Sequence, residues 1–193
     1  MAVALAALTA AAEDTVPSRL LGQVSEVNGQ SLSVMTADGQ VARVQLSPQA
    51  HVFGMVPAKA DAIGADTLIG AVGPQQSDER IKAQTVVIFP KELQGSSAGY
   101  FSQDTKPGTA MRQGSVQEVK TGPDGREVKI YSPQAGATIV IPPDAKVVTL
   151  EPGGPSMLAK GAHVVVPAAK RQNDGSYTAD ALAVGEQGAV PPG

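Results

Sequence analysis

The side chains best suited to chemistry in this chain are two histidines, His51 and His163, and four internal methionines, Met35, Met55, Met111 and Met157. Imidazole and thioether groups could share a transition metal, but a site needs several ligands converging with the geometry of one ion. No Met-x-Met spacing occurs, and isolated methionines are expected to fill gaps in cores and loops. There is no cysteine, which removes disulfides, thiolate metal sites and cysteine nucleophiles. The Asp-Gly turns at Asp38, Asp124 and Asp174 lack the recurring carboxylates of a calcium loop and read as hairpin turns. No nucleophile elbow, phosphate-cradling glycine loop or His-Glu-x-x-His helix is present. The expectation is therefore no enzyme, no cofactor and no metal centre. One stretch stands out for binding: Tyr100 and Phe101, adjacent aromatics in a polar segment, with Asp104 and Met111 following. Their simplest use is to pack that segment between domains. Their functional use would be to edge a groove for a partner or small ligand, because clefts between domains are favoured sites.

The elements that would position these residues come in two sets. Gly22-Gln-Val-Ser-Glu-Val, with an alternating run to Thr36, returns at Gly114 as Gly-Ser-Val-Gln-Glu-Val, with a second alternating run at Glu127–Tyr131. Such a repeat implies an internal duplication, with one structural unit per copy. In the first copy Val24 and Val27, Leu32 and Val34, and Ala42, Val44 and Leu46 alternate with polar residues, the period of a half-buried antiparallel meander. Asn28-Gly29 is expected as a two-residue hairpin loop. After Pro57, Ala58–Gly64 predicts one helical turn stopped by Gly64 in the left-handed conformation. Strands four and five follow at Thr67–Val72 and Ile81–Phe89. In the second copy Val116 and Val119, Val128 and Ile130, and Ile139 and Ile141 answer the first three strands. Pro155–Gly161 is the helical turn, and His163–Pro167 and Tyr177–Val184 are the last two strands. Neither histidine is duplicated, since His51 aligns with Lys146 and His163 with Asp66.

Five strands with a helical turn between the third and fourth is the element order of a small OB-like barrel. The expected fold is thus all-β: two tandem five-stranded OB-like barrels, residues 20–90 and 114–186, each with one short helical turn. Residues 91–113 form a linker and 187–193 a tail. Residues 1–12, an apolar run ending in small residues, predict a truncated signal peptide and hence export to the periplasm. No segment approaches the ~20 apolar residues of a spanning helix. A net charge of −3, 3% aromatics and scattered basic residues argue against nucleic acid, which OB folds bind through stacked aromatics in a basic groove.

Several of these residues carry a resemblance: Gly22-x-Val24, the Asp38-Gly39 turn, Pro48-x-Ala50, the turn ending in Gly64, and the segment from Phe89-Pro90-x-x-Leu93-x-Gly95 to Pro107-Gly108-Thr109-x-Met111. The chain resembles, over about residues 20–190, the small exported bacterial β-barrel repeats grouped as a domain of unknown function. Some relatives carry the label of a metal transporter permease. Relatives also tend to carry a His followed by a Trp-Asp pair after the glycines, where this chain has Tyr100, Gln103 and Asp104. The resemblance implies an exported barrel protein and no established activity. From these readings the chain is expected to be a non-enzymatic binding or adaptor protein of the cell envelope, partnered by an envelope protein or small ligand. The alternative is a periplasmic metal-handling protein.

Overall fold

The structure, a computed structural model, describes residues 18–77, 79–91, 108–133 and 136–189. It is all-β. Twelve strands form one continuous hydrogen-bonded sheet: β1 (Ser18–Asn28), β2 (Ser31–Thr36), β3 (Val41–Pro57), β4 (Leu68–Ser77), β5 (Arg80–Lys82), β6 (Thr85–Phe89), β7 (Thr109–Gly122), β8 (Gly125–Tyr131), β9 (Ala137–Ile141), β10 (Lys146–Pro152), β11 (His163–Arg171) and β12 (Tyr177–Gly185). Short 3₁₀ helices at Ala60–Ala62 and Pro155–Met157 separate β3 from β4 and β10 from β11.

Five of these strands close into a barrel in the order β12, β11, β1, β2, β3, with β3 returning to β12. The barrel is built from two distant stretches of chain. Its last two strands come from residues 163–185, not from the strands that follow β3 in sequence. Seven further strands continue the sheet from β3 through β10 and β6 to β4. From β4 the pairings run through β5, β9, β8 and β7, and β7 pairs again with β4.

The reason lies in β3. At about 3.3 Å per residue, 17 residues reach about 55 Å, more than one small barrel can accommodate. The near half of β3 pairs with β2 from Val41 to Gln45, and much of its length lies parallel to β12. Its far end, Phe53 to Pro57, lies antiparallel to β10. The chain is thereby carried out of the barrel it began, and β4 to β6 find their partners beyond it. Sequence periodicity divides β3 at Ser47-Pro48, but the strand continues through a register slip opposite Ala179 and Ala181.

Three apolar clusters follow from this layout. One fills the closed barrel, with Val24, Leu32, Val34, Val44, Val164 and Leu182 among its members. A second lies among β4 to β10, with Ile69, Ile81, Val116, Val128, Ile130 and Ile139. The third joins them through Phe53, Met55, Val87, Phe89, Leu150 and Val165.

Local expectations are corrected at three places. Asn28 pairs with Ser31, so the first hairpin loop is Gly29-Gln30, with Gly29 at φ 61°. The left-handed residue after the first 3₁₀ helix is Asp66, φ 62°, and not Gly64; Asp tolerates this region because its short side chain bonds locally. The single strand expected at Ile81–Phe89 is split into β5 and β6, which turn to different parallel partners, β9 and β10.

Candidate functional site

Of the four residues expected to edge a groove, Tyr100, Phe101 and Asp104 lie outside the described residues. Met111 lies on β7 opposite Val72, half-buried, and packs against the cluster that joins the two parts of the molecule.

The two histidines do not converge. His51 on β3 is level with Ala181 of β12. The register of β11 and β12, carried along the pair from Val165 opposite Ala183, puts Ala181 level with Pro167, four residues from His163. The two rings are thus two strands apart and offset by about 13 Å along them, too far to share one ion. His51 instead lies 6.2 Å from the Phe53 ring, tilted by 31°, and His163 Nε2 accepts a hydrogen bond from Gln23 Nε2 at 3.0 Å. Among the described residues no group of three His, Asp or Glu side chains could hold a metal.

Displaced ionisations are found at the surface, each with a local cause. The Ser176 hydroxyl, its backbone N–H and the charge of Arg43 hold Asp174 below the usual carboxylate range. The Thr36 hydroxyl does the same for Asp38. Lys120, at 2.7 Å, and Lys129, at 3.1 Å, lower Glu118, which in turn raises Lys120. These groups stiffen turns and one hairpin. They do not meet in a cavity.

A different arrangement emerges on the outside of the closed barrel. Val41 pairs with Met35, Met35 with Gln23, and Gln23 with His163, a row of cross-strand neighbours over β3, β2, β1 and β11. Their neighbours Val34, Val24 and Val164 point into the core, so pleat alternation turns this row outward. Val41 is 59% and Met35 45% exposed, two large apolar side chains left in water. Beside them lies a depression of about 360 Å³ lined by Leu21, Gly22, Gln23, Met35, Thr36 and His163 among others. Gly22 lines it through its backbone; a Cβ there would sit 2.2 Å from the Met35 carbonyl oxygen and 2.9 Å from the buried Val34 side chain. The surface therefore has an apolar side, a hydrogen-bonded amide–imidazole pair and a recess between them.

The sequence does hold a signal for this row. In Val34-Met35 and again in Val41-Ala42, a large apolar residue occupies the solvent parity of an alternating strand, a break in pattern easily passed over when only core positions are sought.

No family model, curated protein or solved structure matches this chain.

Proposed function

We propose that the chain is an exported, non-enzymatic binding or adaptor protein of the bacterial cell envelope, built as a duplicated pair of OB-like barrels that exchange their closing strands. Its ligand, an envelope protein or a small molecule, docks on the outer face of β1, β2 and β3.

The duplication is supported by the register. β1 and β2 slip between Val24 and Glu26, and β7 and β8 slip between Val116 and Glu118. Val24 exchanges backbone hydrogen bonds with Gly161 and Ala162 across the sheet, as Val116 does with Asp66 and Thr67. Where β3 meets β10, Met55 faces Leu150, and the flanking pairs are related by interchange: Phe53 with Pro152 is answered by Val148 with Pro57. A two-fold relation between halves accounts for all three. In this arrangement β1 to β3 close with β11 and β12, and β7 to β10 close with β4 to β6. Export is supported by the apolar run of residues 2–12.

The observation that carries the binding reading is the exposed row of Val41 and Met35 beside the Gln23–His163 pair. Apolar groups left in water next to convergent polar groups are the ordinary composition of a recognition surface. The test is a photo-crosslinking residue at Met35, with one at Lys170 as control, in cells of the native host. The expected result is one adduct of discrete mass from position 35 alone, lost on Val41→Asp. An equal yield from both positions overturns the assignment. Native mass spectrometry of the untagged protein runs beside it; a bound metal ion would turn the reading toward metal handling.

A further inference from the structure

At the far end of the molecule from the outer face, a recess of about 400 Å³ opens beside the first 3₁₀ helix. We propose that it binds a small organic carboxylate, held by the guanidinium of Arg126 and the ammonium of Lys59, with the hydrocarbon part of the ligand against Ile141, Pro142 and Val147.

Arg126 shares its strand parity with the buried Val128 and Ile130, so its side chain turns inward at the end of β8. There its Nη2 donates to the Ile63 carbonyl at 3.4 Å, a long contact, and its Nε is buried with no partner. A charged donor left in that state costs more than a neutral one. Turning the fork into the recess would sacrifice little, and a carboxylate would satisfy two N–H groups at once. Lys59 stands at the mouth, immediately before the 3₁₀ helix. Thr121, directly opposite Arg126 across the hairpin, adds a hydroxyl to the wall.

The electrostatics favour an anion. No carboxylate lines the recess. Of the acids near it in the chain, Glu127 is bound to Arg80 at 2.6 Å, and Asp61, Asp124 and Asp144 do not line it. The apolar walls select an organic anion over inorganic phosphate, because phosphate would leave them wet. The matching position at the other end of the molecule carries neither cation. Gln30 precedes Leu32 there as Arg126 precedes Val128, and Gly153-Gly154-Pro155 precedes Ser156 where Ala58-Lys59-Ala60 precedes Asp61. The two cations are thus present at one of the two matching positions and absent from the other.

This site is separate from the outer face of β1 to β3, so the failure of either reading leaves the other standing. The experiment is an NMR titration of the full chain with isobutyrate at constant ionic strength, with inorganic phosphate as comparison. The expected result is saturable shifts at the amides of Ala60, Ile63 and Arg126 and a rise in Tm, since a ligand of the native state stabilises it. Arg126→Gln is expected to weaken isobutyrate about tenfold or more. Lys59→Gln, at an exposed position that leaves the fold intact if Arg126→Gln does not, is expected to weaken it about two- to fivefold. Equal shifts from phosphate, no saturation with isobutyrate, or unchanged affinity in Lys59→Gln would overturn the proposal.

Discussion

Asp174 sits in the turn between β11 and β12, where the Ser176 hydroxyl donates to Oδ1 at 2.6 Å and the Ser176 backbone N–H at 2.9 Å. Both bonds favour the ionised carboxyl, so its folded pKa lies below the ordinary 3.8. The sign follows: the group adds stability that is present above pH 3.8 and is lost as pH falls through the lower, folded value. Ser176→Ala is expected to move the Asp174 titration, read by NMR of its carboxyl, up toward 3.8 without reaching it, because the N–H bond remains. The stability difference between Ser176→Ala and the parent should then shrink as the pH falls through that window. An unmoved titration would show that the hydroxyl is not the main cause. At this scale much could be read from sequence: Asn173-Asp174-Gly175 announces its turn, and the alternating valines announce the core. Met35 and Val41 were equally visible, but an exposed apolar residue acquires meaning only when cross-strand neighbours join it, and those neighbours are remote in sequence.

Strands are legible by their period, and their partners are not. Val24, Leu32 and Val44 alternate whichever strands complete the barrel, because side-chain parity records a buried face and not the identity of the chain that buries it. The length of β3 was the available clue, masked by Ser47-Pro48. The paired glycines within β1 and β7, Gly22 and Gly114, are a firmer signal. A Cβ at Gly22 would lie 2.2 Å from the Met35 carbonyl oxygen, and one at Gly114 would lie 2.4 Å from that of Tyr131. Neither glycine has a positive φ; each is required by close approach of a neighbouring backbone. Gly22→Ala and Gly114→Ala are each expected to cost about 1–3 kcal/mol in urea denaturation, by similar amounts, since the neighbouring strand must shift. Gly64→Ala is the control: nothing lies within 4 Å of its Cβ and its φ is not positive. It is expected to be neutral or stabilising by up to about 1 kcal/mol. Equal losses at all three positions would mean that backbone freedom, and not close approach, is what these glycines supply.

For the whole molecule the exchange of strands changes what a half-chain is. Residues 18–57 supply β1 to β3, and the barrel they begin is completed by β11 and β12, more than a hundred residues later. In the same way β7 closes onto β4, and β9 onto β5. Each half therefore lends two strands or more to the other, and the joining cluster of Phe53, Met55, Leu150 and Val165 draws on both. Two self-contained barrels on a string would behave differently when the string is cut. A protease site placed between residues 92 and 107, cleaved after folding, is expected to leave the halves bound one to one through gel filtration. Their unfolding should be a single transition whose Tm rises with protein concentration, because a cut chain pays for association that the intact chain obtains through its linkage. Halves that part under native conditions, or that melt independently of concentration, would mean that each closes on itself.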